Sequence, residues 1–192
     1  VGDNCFETDG AEDSDAQPVT TSTIYNFTVV GQPVDGDQGT AWRDNARVQY
    51  RNCIFMDLGE QLIKNDNTDG DGGSGYGYNG TLSWENTWTT PYTENSSINM
   101  GTADPATLYT VQKSGYLAEM SDSVFYNNLH ASAYTEAEAR GVLSDTMHNV
   151  QASSLPIQSL TRGAVVSKGG KSMLPVTMIN PCPANDALTS NG

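Results

Sequence analysis

One short phrase recurs along the chain and constrains the fold more than any other feature of the sequence. It reads apolar, any residue, Asn or Asp, any two residues, then apolar or Thr. In its clearest copy, residues 48–57 (VQYRNCIFMD), apolar side chains alternate as in a strand until Asn52, and the parity of the apolar positions then changes. Asn tolerates left-handed backbone better than other non-Gly residues. The change of parity therefore predicts a bend at Asn52 between two strands that face one core.

Further copies of the phrase predict bends at Asn26, Asn86 and Asp122, and a degenerate copy predicts one at Asn4. With Asn52 included, these positions are about 22, 26, 34 and 36 residues apart, and such internal repetition is typical of solenoids. We predict an all-β fold, a fragment of a right-handed parallel β-helix whose bends stack at one corner. The alternative is an antiparallel sandwich, since short strands at irregular spacing also describe that fold.

The predicted corner has a consequence for the cysteines. If Asn4, Asn26 and Asn52 stack about 4.8 Å apart per coil, Cys5 and Cys53 lie two coils apart. Side chains at that separation are too far apart for a disulfide. We therefore predict that these two cysteines are not bridged.

Other segments interrupt or follow the repeat. Residues 65–75 (NDNTDGDGGSG) and 91–115 are predicted to be loop insertions that project from a corner. An amphipathic helix is predicted over residues 135–150, because Thr135 and Glu138 form a capping box ahead of an apolar face. This helix is expected to lie across the solenoid and protect its strand edges. Residues 155–192, with four prolines, are expected to wrap the outside in extended form.

Composition limits the class of protein. With 192 residues, the chain is expected to form a single domain, 1–192. A formal charge of −14 repels phosphate backbones, which argues against nucleic acid as a partner. No apolar run approaches the roughly 18 residues of a membrane span, and three unpatterned cysteines define neither compartment nor metal site. Val1 begins within the pattern, without Met or signal peptide, so we expect a processed protein or a fragment.

Several segments resemble a known family. Residues 6–13 (FETDGAED), 23–31 (TIYNFTVVG) and 43–47 (RDNAR) resemble a largely uncharacterised family of large secreted bacterial proteins of the pectate-lyase-like, right-handed parallel β-helix type. The resemblance continues through residues 123–127 (SVFYN) to 180–184 (NPCPA). It implies a secreted or cell-surface location and a chain that is longer at both ends. It implies no established activity.

Carbohydrate chemistry is the first enzymatic hypothesis, by analogy with other enzymes on this fold. A lyase that acts on uronates needs a cation or arginine to neutralise the sugar carboxylate, and a base. Arg47 and Arg51 alternate along one strand and so point to the same outer face. Trp84 and Trp88 belong to a group of aromatic residues of the kind that stacks on sugar rings. These four residues are the candidate sugar-binding set, and a solvated sheet face with packed tryptophans is the alternative.

Two acidic segments suggest other chemistry. Asp66, Asn67, Asp69 and Asp71 sit among glycines, and their oxygens suit Ca²⁺, although the terminal Glu of an EF-hand is missing. A flexible solvated loop is the alternative. Residues 7–15 contain five carboxylates, of which a glycoside hydrolase needs two at a defined separation. Their crowding fits cation binding or solvation equally well.

The sequence thus provides a repeated scaffold and acidic loops, whereas His130 and His148 fit no ligand or nucleophile pattern. We predict a non-enzymatic extracellular or cell-surface structural or interaction protein that is calcium-stabilised. Its expected partners are polysaccharides, other surface proteins or further copies of itself. The alternative is a polysaccharide lyase, a glycoside hydrolase or a sugar-binding module.

Overall fold

The computed structural model describes residues 4–11, 15, 20–66, 80–83, 86–87, 116–128 and 147–184. These residues form fourteen strands and contain no helix. Ten strands pair in parallel in three sheets, named A, B and C below, and the other four form antiparallel pairs. The prediction of an all-β fold is confirmed for the described residues. The antiparallel sandwich does not account for sheets A to C.

The three parallel sheets are visited in a fixed order. Sheet A contains β1 (Phe6–Asp9), β4 (Thr40–Arg43) and β7 (Ile63–Asp66). Sheet B contains β2 (Thr21–Tyr25), β5 (Arg47–Arg51) and β8 (Ala118–Ser121). Sheet C contains β3 (Thr28–Val30), β6 (Ile54–Met56), β9 (Val124–Tyr126) and β10 (Val150–Gln151). The chain runs through A, B and C in three successive repeats before β10 returns to sheet C, an order compatible with a β-helix.

One apolar core lies between the three sheets. Trp42 of sheet A, Tyr50 of sheet B and Phe55 of sheet C are each at most 1% exposed. The rings of Tyr50 and Phe55 pack edge to face at 5.8 Å. The Tyr50 hydroxyl lies 3.4 Å from Thr8 Oγ1 and 3.2 Å from Thr40 Oγ1, so it is satisfied inside the core. Burial raises the pKa of Tyr50, and these two contacts act in the opposite direction.

Residues with left-handed backbone stack where sheet B turns into sheet C. They are Asn26, Asn52, Asp122 and His148, with φ of 57°, 55°, 51° and 55°. Asn52 Nδ2 donates to Asn26 Oδ1 at 2.6 Å, and Asp122 Oδ1 lies 3.2 Å from His148 Nδ1. The predicted corner is therefore confirmed at Asn26, Asn52 and Asp122. His148 extends it into a fourth repeat, with a turn where sequence predicted a helix.

Two other predicted corner positions are wrong. Asn4 precedes β1, and the N–H of Cys5 bonds to the carbonyl of Gln38, so this segment aligns with the approach to β4. Asn86 lies in a local turn, where its side chain accepts from the Ser83 N–H at 2.7 Å. Each repeat contains a sheet A strand as well as the B–C corner, so similar phrases do not all mark the same corner.

All three cysteines are free, as predicted for Cys5 and Cys53. The reason differs from the predicted one, because Cys5 leads into sheet A whereas Cys53 lies at the B–C corner. Burial raises the pKa of the Cys53 thiol, and hydrogen bonds between this thiol and the backbone of Phe27 and Arg51 act in the opposite direction. Burial, helped by the nearby Asp37 charge, also raises the pKa of the Cys5 thiol. Both thiols are thus less ionised than a free cysteine at a given pH.

Both predicted insertions fall in one connection of the third repeat. β7 ends at Asp66 and β8 begins at Ala118, so residues 65–75 and 91–115 lie between sheets A and B. Most of this connection is outside the described residues. Asn65 and Asp66 belong to β7, so the connection begins later than the sequence predicted.

The helix predicted over residues 135–150 lies outside the described residues as far as residue 146. Its last residues are not helical, because Met147 and His148 form a turn and Val150 begins β10. In β10, Val150 pairs with Val124 of β9. Here the ladder with sheet C decides the backbone conformation and overrides the amphipathic pattern, so the predicted helix end is wrong.

Residues 157–183 form an antiparallel hairpin, named the arm below. Its strands are β11 (Ile157–Arg162), β12 (Val166–Lys168), β13 (Lys171–Met173) and β14 (Val176–Pro183). β11 pairs with β14, and β12 pairs with β13 at the tip. The tail is extended, as the sequence predicted, but its strands pair with each other.

The arm packs on the outer face of sheet C. Ile157 and Leu160 contact a cluster that includes Ile54, Met56 and Val124. These sheet C side chains alternate with those that face the main core. Sheet C is therefore covered on both faces, which explains its nearly continuous apolar sequence.

Candidate functional site

The outer face of sheet B carries the predicted cations, but most of it is covered. Arg47 and Gln49 are 1% and 0% exposed, and the Arg51 side chain is 19% exposed. The Thr23 hydroxyl donates to Gln49 Oε1 at 3.1 Å, and Gln49 Nε2 donates to the Tyr116 carbonyl at 2.7 Å. The alternation along β5 correctly predicted that these side chains point to the outer face. The prediction that Arg47 is exposed there is wrong, because other parts of the chain cover it.

Arg51 is held by an ion pair rather than left for a ligand. Its Nη2 lies 2.7 Å from Glu119 Oε1, and the Glu119 side chain is 5% exposed. Glu119 Oε2 also accepts the Tyr116 N–H at 2.8 Å. Tyr25, which aligns with Arg51 across the sheet, is 47% exposed. Among the described residues of this face, the rim of Arg51 reaches solvent, as does Tyr25, which the sequence analysis did not single out.

Trp84 and Trp88, the aromatic half of the candidate sugar-binding set, lie outside the described residues. Asn86 and Thr87 between them are described, and the Thr87 N–H bonds to the Ser83 carbonyl at 3.0 Å. The grouping of the two tryptophans with Arg47 and Arg51 stays a prediction.

The calcium hypothesis also falls largely on residues that are not described. Asp66 ends β7, whereas Asn67, Asp69 and Asp71 lie outside the described residues. In the part of the chain that the structure does describe, no group of three or more His, Cys, Asp or Glu side chains is arranged to hold a metal ion. The calcium site stays a prediction from the sequence.

The described acidic residues near the start of the chain, Glu7, Asp9 and Asp15, contact groups of the protein itself. Arg43 Nη1 lies 2.5 Å from Glu7 Oε1 and 3.7 Å from Asp9 Oδ1 on the outer face of sheet A. The Asp15 carboxylate accepts both the N–H and the hydroxyl of Thr81 at 2.7 Å. A glycoside hydrolase needs room for a sugar and water between its two carboxylates. Here a guanidinium occupies the position beside Glu7 and Asp9, so this pair does not resemble such a site.

A largely buried ion pair that the sequence did not predict joins the arm to the sheets. Arg162 Nη2 and Nε lie 2.7 and 3.1 Å from Asp57 Oδ2, and Nη2 also donates to the Gly31 carbonyl at 2.8 Å. Its Nη1 donates to the Leu174 carbonyl at 2.9 Å, and Asn127 donates to Asp57 Oδ1 at 2.7 Å. The Arg162 and Asp57 side chains are 13% and 6% exposed. They are 105 residues apart in sequence, so no local pattern joins them.

Two cavities flank the arm. One, of about 480 Å³, lies between its base and the first repeat, and Asp37 is the only carboxylate among the described residues that line it. The other, of about 310 Å³, lies between Pro181, Pro183 and the Asn26–Asn52 corner, and Asp122 is its only described carboxylate. Neither cavity brings two described carboxylates together, as acid and base catalysis on a glycoside requires.

Comparison of the chain with protein-family models, curated proteins and solved structures gave no match. In the described residues, no helix is long and apolar enough to cross a membrane.

Proposed function

We propose that the chain forms a right-handed parallel β-helix that serves as an extracellular structural or interaction scaffold. The observation that carries this proposal is the in-register A, B, C order of strands. The B–C corner recurs after 26 residues from Asn26 to Asn52, and again from Asp122 to His148. Crossovers between parallel strands are right-handed in about 98% of cases, which supports the handedness. Stacked coils of this kind present long outer faces to partners.

The use of charge favours a scaffold over an enzyme. Arg51 with Glu119 ties two repeats of sheet B together, Arg162 with Asp57 fixes the arm, and Arg43 with Glu7 crosses sheet A. Catalytic groups, in contrast, are left with a free position for substrate. These three ion pairs are therefore better explained as structural contacts.

The location and the cation belong to the same proposal but have separate support. The extracellular or cell-surface location follows from the resemblance to secreted β-helix proteins. Stabilisation by Ca²⁺ follows from the carboxylate and amide oxygens of Asp66, Asn67, Asp69 and Asp71 among glycines.

A sugar-binding module is the second candidate, and the pairing of Tyr25 with Arg51 is the observation that favours it. An exposed aromatic ring stacks on a sugar, and a neighbouring guanidinium attracts a sugar carboxylate. Tyr25 is 47% exposed, and Arg51 keeps 19% of its side chain in solvent. Trp84 and Trp88 belong to this candidate on the basis of the sequence.

Incubation with polygalacturonate and alginate separates these proposals. A scaffold gives neither unsaturated ends nor new reducing ends. A binding module gives retardation in affinity electrophoresis that Tyr25→Ala weakens, whereas Val176→Ala, which shortens an exposed side chain of the arm, serves as the control. Product formation that Arg51→Lys abolishes in a folded variant would show that the chain is an enzyme and would refute the scaffold proposal.

A further inference from the structure

The arm differs from the rest of the chain in charge. Residues 146–185 contain no Asp or Glu and three cations, Arg162, Lys168 and Lys171. The remaining residues hold six of the nine Lys and Arg and all 23 Asp and Glu, which gives them a formal charge of −17. All three of these cations lie in the arm. The chain outside residues 146–185, named the acidic body below, carries the opposite charge.

Exposed apolar side chains are also concentrated on the arm. Of the eight large ones in the described residues, five belong to it: Val165 (54%), Val166 (47%), Val176 (43%), Met178 (59%) and Ile179 (42%). Exposed apolar patches of this kind mark interaction sites. β14 pairs with β11 along one edge and with no other strand of the described residues, and an unpaired edge of this kind can accept another chain.

The turn of the arm is open to solvent, while its strands are held on the acidic body, since the Ser172 N–H donates to Asp35 Oδ2 at 2.7 Å. Gly169 and Gly170 form the turn with φ of +61° and +79°, and no atom lies within 4 Å of a Cβ built on either. Lys168 and Lys171 flank the turn, and neither takes part in an ion pair of the described residues. At the base, Arg162 is bonded to Asp57 at 2.7 Å. A surface held in this way loses little conformational entropy on binding.

We propose that the arm is a self-association surface that docks on the acidic body of a second copy of this chain. This inference rests on the proposed scaffold function and names its partner. An arm against an arm would bring cations together, whereas an arm against the body brings opposite charges together. An acidic polysaccharide would satisfy the lysines but not Val165, Val166 and Met178, because sugars stack on aromatic rings rather than on aliphatic side chains. The contact joins two different surfaces, so it closes as a two-fold dimer if both arms are exchanged and builds rings or filaments if they are not.

Sedimentation velocity of the full chain tests the proposal at about 0.1 M and about 1 M NaCl, between which the Debye length falls from about 10 Å to about 3 Å. At the lower salt concentration the sedimentation coefficient rises with protein concentration, and at the higher one this rise is reduced. Lys168→Glu with Lys171→Glu raises the dissociation constant about tenfold or more, and Met178→Asp has a similar effect. Lys64→Glu, a charge reversal at an exposed position of sheet A, is the control and does not weaken association.

Three results would overturn the proposal. The first is a chain that stays monomeric up to about 100 μM at the lower salt concentration, well above the range of specific complexes. The second is equal weakening by Lys64→Glu and Lys168→Glu. The third is a monomer whose arm variants lose retention on immobilised sulfated polysaccharide, which would make a polyanion the partner instead. None of these three results would refute the scaffold proposal, which is refuted instead by cleavage of a polysaccharide.

Discussion

Replacing Arg162 by Met is expected to release the arm while leaving the three parallel sheets folded. The guanidinium makes three hydrogen bonds across the junction, two to Asp57 Oδ2 at 2.7 and 3.1 Å and one to the carbonyl of Gly31 at 2.8 Å, and a fourth within the arm to the carbonyl of Leu174 at 2.9 Å. Met keeps an apolar stem of similar length and removes all of these donors. The Asp57 carboxylate then remains largely buried without its cation.

The expected cost follows from that burial. Removing one member of a buried ion pair costs about 3 to 5 kcal/mol, because the other charge is left uncompensated. Asn127 still donates to Asp57 Oδ1 at 2.7 Å, so the lower end of this range applies. A cost of about 3 kcal/mol multiplies the population with an undocked arm by roughly 100-fold. The core between the sheets does not include the arm, so the effect should be local.

Hydrogen exchange measured by mass spectrometry resolves this effect by segment. Peptides from residues 157–183 should exchange about 100-fold faster in Arg162→Met, while peptides from β4 and β5 keep their protection. Adding Asp57→Asn removes the uncompensated charge and should recover part of the loss. Equal deprotection of arm and sheets, a loss below about 1 kcal/mol, or no recovery in the double variant would refute the reasoning.

Three further predictions concern the corner, the core and the cation. Asn52→Val should destabilise the fold by about 2 to 3 kcal/mol in urea unfolding, because φ of 55° strains a β-branched residue and the side-chain hydrogen bond to Asn26 is lost. Asn52→Gly loses the hydrogen bond without the strain and should cost about 1 kcal/mol. Equal costs for the two variants would contradict this account. Because burial raises the pKa of Tyr50 above its ordinary value of 10.0, its contribution to the free energy of unfolding is complete below pH 10 and is lost as the pH rises above that value. The free energy of unfolding of Tyr50→Phe should therefore fall less steeply above pH 10. An identical pH profile for the two proteins would exclude Tyr50 as a cause. Millimolar Ca²⁺ should raise the melting temperature relative to EDTA, an increase that Asp69→Asn with Asp71→Asn removes, and no shift would count against a structural ion.

Local patterns predicted the features that depend on neighbouring residues. The change of parity at Asn52 and its copies at Asn26 and Asp122 identified a real corner, because left-handed backbone is a property that Asn and Asp tolerate locally. The predicted helix failed at His148 and Val150 for the opposite reason. There the conformation is decided by pairing with β9, which lies more than 20 residues earlier and leaves no local signal.

The alternation of Arg47, Gln49 and Arg51 predicted their direction but not their burial. Tyr116 and Glu119, which contact this face, come much later in the chain, since the corner at Asn52 meets its next copy only at Asp122, about 70 residues on. Loop-closure entropy grows only with the logarithm of loop length, so a long insertion between β7 and β8 is tolerated if the returning chain is held in register. Tyr116 provides that hold, because its carbonyl accepts from Gln49 at 2.7 Å and its N–H donates to Glu119, the partner of Arg51. Gln49 and Arg51, on the face that the sequence analysis singled out, are thus among the contacts that hold the third repeat in register after the insertion.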